Sequence, residues 1–218
     1  MSLETVQATG IFGGTFDPVH LGHLRAALEV REALALDSVR FVPCGIPPHR
    51  VTPHASARQR VAMLRAALDG EPAFRLDDRE IRRPGPSYMV DTLESLRTEL
   101  GRTPLCLILG MDAFLGLPSW HRWKSLSELA HIAVMHRPGW AWRPGQAPGE
   151  LATQVSARLT DEPRVLHEAP AGRIAFVPVT PLDIAASRIR AALAQGRSVR
   201  YLVPEGVWQL IQRQHIYG

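Results

Sequence analysis

The chain is poor in the features that mark secreted, membrane-bound and nucleic-acid-binding proteins. It holds only two cysteines in 218 residues, Cys44 and Cys106, both in apolar surroundings. With no CxxC spacing they build no disulfide framework and read as buried fillers. The longest apolar run, PLCLILGM (104–111), falls far short of the roughly 20 residues that a membrane-spanning helix needs. The opening stretch, MSLETVQATG, has no basic flank followed by an apolar core. A signal peptide is therefore not expected, and a cytoplasmic location is. No basic block interleaved with aromatic residues appears, which sets aside a nucleic-acid partner.

What is present is ordinary in bulk: 45% hydrophobic and 21% charged residues, as in soluble globular proteins. The net charge is +4 and the pI about 9.7. The basic excess is arginine rather than lysine, and a guanidinium suits planar, bidentate contact with phosphate. Small phosphorylated ligands match that charge.

Strand-length apolar runs alternate with helical patterns along the chain. TVQATGIF (5–12), SVRFVPC (38–44), AFRLDD (73–78), PLCLILG (104–110), HIAVMH (131–136) and RIAFVPV (173–179) read as strands. The fourth is apolar enough for a central parallel strand covered on both faces. HLRAALEVREALAL carries Leu24, Leu28 and Leu34 at helical spacing, and ARQRVAMLRAAL reads as a helix with its arginines on the outer face. Ser87 is placed to cap a helix over YMVDTLESLRTEL, and Gly196 to end one over AASRIRAALAQG. WKSLSELA and ELATQVSARL read as shorter helices, RPGWAWRPGQAPG as a loop, and VPEGVWQLIQRQ as a small C-terminal helical subregion. With no internal repeat and no linker, residues 1–218 are expected to form a single domain of the α/β class. Its core is a doubly wound parallel sheet with right-handed crossovers, binding ligand at the carboxyl ends of the strands.

The densest signal is GIFGGTFDPVHLGHLRAALEV (10–30), where three glycines, an Asp-Pro pair and two histidines sit between the first strand and the first helix. With a strand over Val6–Phe12, Gly13–Pro18 becomes a loop at the sheet's carboxyl edge. Its glycines let a ligand approach the main chain, and Asp17 and Pro18 fix the turn. His20 and His23, three apart at a helix start, share one face, and Gly22 between them leaves an open surface for a flat group. Free N–H groups at a helix start favour anions, and imidazoles beside them can donate to phosphate oxygens. A dinucleotide-binding oxidoreductase is disfavoured, because the glycines do not follow G-x-G-x-x-G. A metal pair is disfavoured too, since no cysteine or glutamate partner stands at a zinc-site spacing.

GGTFDPVHLGH resembles the signature of the class I nucleotidyltransferase superfamily, G-x-F-D-P-x-H-x-G-H, whose members transfer AMP or CMP to a phosphate. Over nearly its full length the chain is similar to the bacterial nicotinate-nucleotide adenylyltransferase family. PPHR, PSYMVDTL, LILGMD, LPSWHRW, HRPG and DIAASRIR follow in the family's order. The resemblance implies a Rossmann-like nucleotidyltransferase fold. It also implies that the partners are ATP and nicotinate mononucleotide, converted to deamido-NAD and pyrophosphate, with Mg²⁺ carried by ATP and no protein metal site. The same transfer to another phosphorylated acceptor, such as nicotinamide mononucleotide, stays open, as does a homodimer. By resemblance His20, His23 and Arg190 are the catalytic residues. The main chain of Gly13, Gly14, Thr15 and Phe16, together with His49, Arg50 and Ser187, binds the ATP phosphates. Tyr88, Met89, Gly110, Asp112, Trp120 and His121 bind the acceptor. Trp120 stacks on the pyridine ring, the helix start at Tyr88 and Met89 takes its carboxylate, and Asp112 takes ribose hydroxyls or caps its helix. The chain departs from the family at three places: Ala185 stands for serine, Ser187 for threonine and Met89 for threonine. Trp140 and Trp142 carry no family role and are read as covering an apolar patch or an oligomer contact.

Overall fold

Six strands, β1 (Thr9–Gly14), β2 (Ser38–Pro43), β3 (Phe74–Leu76), β4 (Leu105–Gly110), β5 (His131–His136) and β6 (Ile174–Pro178), form one sheet in the order β3-β2-β1-β4-β5-β6. β1 pairs with β4, β4 with β5 and β5 with β6, each parallel. This order belongs to doubly wound nucleotide-binding sheets, and the expected fold class holds. These features come from a computed structural model that describes residues 7–48, 52–136, 142–143, 145, 147 and 149–218. The helices are α1 (Leu21–Ala33), α2 (Ala57–Leu68), α3 (Arg79–Arg82), α4 (Met89–Leu100), α5 (Met111–Leu115), α6 (Trp123–Leu129), α7 (Gly149–Arg158), α8 (Val165–Glu168), α9 (Ala186–Ala194) and α10 (Glu205–Arg213). Among the described residues no helix is long and apolar enough to cross a membrane.

The chain divides into two compact units, and the first comprises Met1–Phe12, Ala27–Val39 and Tyr88–Thr180. Its centre is β4, where Leu105, Cys106, Leu107 and Ile108 are all fully buried. Burial pushes the Cys106 thiol up to about 12, so it is an inert filler. Polar side chains, His167 half-buried and His131 fully buried, stitch the unit's loops. His167 Nδ1 accepts from the Ala8 N–H and Nε2 donates to the Leu34 carbonyl, both at 3.0 Å. His131 Nδ1 accepts from Arg173 N–H at 3.0 Å while Nε2 donates to the Ala169 carbonyl at 2.8 Å. Trp142 stacks on Phe176, ring centroids 5.4 Å apart. Trp140 lies outside the described residues.

The second unit comprises Gly13–Ala26, Arg40–Ser87 and Pro181–Gly218. α2 begins at a capping box in which the Ser56 side chain accepts from the Gln59 N–H at 3.2 Å and Gln59 Oε1 accepts from the Ser56 N–H at 2.9 Å. α10 packs on α2 closely enough that a Cβ at Gly206 would lie 3.3 Å from the Ala66 Cβ. α9 ends as the sequence predicts. Gly196 has φ +68°, its N–H donates to the Leu193 carbonyl at 2.9 Å, and Arg197 N–H reaches the Ala192 carbonyl at 2.9 Å.

Four expectations need correction. β1 covers Thr9–Gly14, so Gly13 and Gly14 are strand residues and the loop begins at Thr15. Ser87 does not cap α4: its Oγ accepts from the Gly45 N–H at 2.9 Å, and Tyr88 holds the cap position without a side-chain bond. The strand over 73–78 shrinks to Phe74–Leu76: Asp77 N–H still reaches the Phe41 carbonyl of β2 at 2.9 Å, and its carboxylate pairs with Arg79 (2.7 Å) and Arg40 (3.2 Å) where the chain turns into α3. Finally, the arginines of α2 do not all face outward. Arg60 is only 1% exposed, for it shares the helix face of Met63 and Leu64, three and four residues on.

Candidate active site

In the second unit, β1 runs out into Thr15–Pro18. Phe16 takes a left-handed backbone (φ +50°), which costs a residue with a Cβ about 1–2 kcal/mol. The bend lays its ring over Gly14, where a Cβ would lie 2.9 Å from the ring, so only glycine fits there without a shift. The same ring meets His23 edge-on at 5.1 Å. The carbonyls of Gly14 and Thr15, groups that would repel a phosphate, accept from Cys44 N–H (2.9 Å) and Arg60 Nη1 (2.8 Å).

His20 and His23 come together as expected, but more tightly. His20 precedes α1, and the two rings stack with centroids 3.6 Å apart. Gly22 offers no open surface, since a Cβ there would lie 3.1 Å from His20 Nδ1; the imidazole fills that space itself. His23 Nδ1 accepts the His20 backbone N–H at 3.2 Å. In the neutral ring the proton therefore sits on Nε2, a fixed donor. Burial pushes His20 down to about 4. Burial, followed by the charge of the His20 ring, pushes His23 well below its ordinary value. Both rings are neutral at pH 7.

This pair predicts a stability slope. The unfolded chain takes up protons near pH 6.5, before the folded His20 can, so stability present above that pH is lost as it falls toward about 4. For His20 the shift is worth about 3 kcal/mol. Urea unfolding at pH 7.5 and pH 4.5 measures it, and equal midpoints would mean that the ring is solvated.

Asp17, expected only to set a turn, is the hub of the unit and was missed as a site residue. It is 4% exposed. Its Oδ2 accepts from His54 N–H at 2.8 Å, and its Oδ1 from Ala55 N–H at 3.0 Å and the Tyr217 hydroxyl at 2.7 Å. Burial alone would push this carboxyl up. The bonds from Tyr217, Ala55 and His54 and the charge of Arg190 outweigh that and hold it below the usual range. Arg190 donates through Nη1 to the Asp17 carbonyl at 2.6 Å. Arg60 was missed as well. Besides the Thr15 carbonyl its Nη2 reaches the Gly45 carbonyl at 3.5 Å, and its Nε is buried without a partner among the described residues. Its signal was the shared face with Met63 and Leu64. Asp17 had none, because its partners lie far along the chain.

Ala185 holds the cap position of α9 with no side-chain bond, which leaves the N–H groups of the first turn to a ligand or water, and Ser187 in that turn is exposed. His49 and Arg50 lie outside the described residues. Among the described residues no cluster of three or more His, Cys, Asp or Glu side chains is set to hold a metal ion.

The residues expected to bind the acceptor belong to the first unit. α4 starts at Met89 with no side-chain cap, so its first N–H groups keep their capacity for an anion. Tyr88 packs against His121, ring centroids 4.4 Å apart. Gly110, not Asp112, is the N-cap of α5. Asp112 is exposed, and its Oδ1 would lie 3.0 Å from a Cβ at Gly110, a contact that glycine relieves. Trp120 follows a short 3₁₀ turn at Leu117–Ser119 and is half-buried.

Residues 11–192 match the cytidylyltransferase-like family. A Halorhodospira halophila protein named "Probable nicotinate-nucleotide adenylyltransferase" is 51% identical over 215 residues, 99% of this chain and 97% of its own length. One of the same name from Methylococcus capsulatus is 53% identical over 210 residues, 96% of this chain and 99% of its own. The solved structure of Plasmodium falciparum nicotinic acid mononucleotide adenylyltransferase complexed with NaAD shares the fold, with a TM-score of 0.72 at 13% identity over 97% of both chains.

Proposed function

The chain belongs to the nicotinate-nucleotide adenylyltransferases of the cytidylyltransferase-like family, and we propose that it transfers AMP from ATP to nicotinate mononucleotide, giving deamido-NAD and pyrophosphate. The observation that carries this reading is the neutral His20–His23 stack at the start of α1, with His20 buried and His23 half-buried, beside a loop whose carbonyls are tied back. Such a site suits an uncharged donor working on a phosphate in a water-poor setting.

The acceptor phosphate is already anionic, so no base is needed. Its oxygen bonds to the α-phosphorus as the bond to the β-bridging oxygen breaks, and pyrophosphate leaves with that electron pair. Mg²⁺ enters on the triphosphate as part of the substrate. His23 Nε2–H donates to an α-phosphate oxygen, a bond that strengthens as charge builds there. Gly13–Phe16, His49, Arg50, Arg190 and the start of α9 with Ser187 bind the phosphates. Trp120 stacks on the pyridine ring, the first N–H groups of α4 at Tyr88 and Met89 take its carboxylate with His121 packed alongside, and Gly110 and Asp112 serve the ribose. In this reading residues 1–218 work as one catalytic domain. The setting is the cytoplasm, where ATP is supplied and where the two cysteines stay reduced.

MgATP offered separately with nicotinate mononucleotide, nicotinamide mononucleotide and phosphopantetheine, with pyrophosphate release as readout, tests the reading. Release with the nicotinate form is expected. Silence with all three would remove the enzyme assignment. A tenfold preference for the amide, about 1.4 kcal/mol, would overturn the carboxylate assignment.

A further inference from the structure

A guanidinium beside a carboxylate ordinarily closes a two-pronged pair, yet Arg190 and Asp17 do not. Arg190 Nη1 stands 3.8 Å from Asp17 Oδ2, beyond hydrogen-bond reach, and gives its proton to the Asp17 main-chain carbonyl at 2.6 Å. Three of the carboxylate's four lone-pair positions are committed, both of those on Oδ1 among them. Oδ2 takes the His54 N–H, and Oδ1 takes the Ala55 N–H and the Tyr217 hydroxyl. Two of these donors are main-chain groups next to each other; the third is a side chain 200 residues along the chain from Asp17. Among the described residues Arg190 engages only Nη1, and its side chain keeps 24% of its surface exposed.

The tail is shaped to deliver that hydroxyl. After α10, His215 (φ +48°) and Tyr217 (φ +74°) both adopt left-handed backbones around the buried Ile216. Two such residues on either side of one position persist only where the surroundings hold them. Ile216 N–H bonds the Ile211 carbonyl at 3.1 Å, and the Tyr217 hydroxyl is anchored on Asp17.

We propose that Tyr217 is a positioning residue for adenylyl transfer: by occupying Asp17 Oδ1 it keeps the carboxylate from clamping Arg190, and so leaves the guanidinium for the triphosphate. The proposal rests on the function assigned above. Without the hydroxyl, Oδ1 regains a lone pair, the carboxylate turns toward the guanidinium, and ATP competes with an internal ion pair.

Tyr217→Phe tests this at the cost of one oxygen atom. With nicotinate mononucleotide saturating, KM for MgATP rises about tenfold, while the acceptor's KM stays within about twofold and the melting temperature changes by a few degrees at most. In an Arg190→Ala background the same substitution changes the ATP KM less than about twofold, because the guanidinium it protects is gone. Calorimetric titration with MgATP alone weakens by the same tenfold and needs no acceptor, so it tests Tyr217 even if the acceptor is misassigned. An unchanged ATP affinity, an equal rise in both KM values, or the full effect persisting in the Arg190→Ala background would overturn the proposal.

Discussion

Replacing His23 with alanine is expected to lower kcat by about 10²–10³-fold, the loss seen when one preorganised donor to a developing oxyanion is removed. The KM of the mononucleotide should move by no more than about threefold. The argument rests on a tautomer. The His20 N–H held by His23 Nδ1 at 3.2 Å fixes the ring's proton on Nε2 before any substrate arrives. Phe16 and the His20 ring keep that donor in a setting where the imidazolium is disfavoured. A neutral donor needs no protonation step, so kcat should stay flat from pH 6 to pH 8. Single-turnover kinetics across that range check both statements. An imidazolium mechanism would instead show kcat falling above about pH 6.5. An unchanged rate in the alanine variant would remove the phosphate role.

The sheet and the donor pair were legible in the sequence because their signals are local. Alternating apolar runs gave the strands, the continuous apolarity of 105–109 marked β4 as central, and Gly196 marked the end of α9. GGTFDPVHLGH put both imidazoles at one helix start. What the sequence hid depends on distant partners. Nothing near Ser87 says that its hydroxyl will meet Gly45 rather than cap α4. Nothing near Asp17 points to residues 54, 55, 190 and 217, which a folded chain alone brings to it. Arg60 is an intermediate case. Helical spacing placed it on the apolar face, but composition favoured an exposed arginine. The cost of burying it is met by the Thr15 carbonyl, whose inward turn depends on the left-handed bend at Phe16. Side-chain chemistry was readable at the motif, whereas the supports beneath it were not.

Those supports make Asp17→Asn the most damaging small change. The amide keeps the shape of the carboxylate but replaces one acceptor oxygen with an NH₂. With the NH₂ at the Oδ2 position it opposes the His54 N–H; at the Oδ1 position it opposes the Ala55 N–H. Either way two donors face each other, and the guanidiniums of Arg190 and Arg60 lose their nearby anion. Losing charge-assisted bonds to the carboxylate and setting donor against donor costs about 3 kcal/mol or more, which for a chain of this size lowers the melting temperature by roughly 6–12 °C. The pH dependence separates the charge from mere packing. Because the folded state holds the Asp17 carboxyl below its ordinary value of 3.8, its contribution is complete above that pH and is lost as pH falls through the lowered value. The variant has no such titration. The stability gap between wild type and Asp17→Asn should therefore be constant from pH 8 to pH 5 and narrow below pH 4, while the histidine-linked slope between pH 6.5 and about 4 appears equally in both proteins. Urea midpoints at pH 7, 5 and 3.5 measure the gap. A gap that stays the same at pH 3.5 would mean that Asp17 acts through shape alone, and that Arg190 and Arg60 owe nothing to its charge.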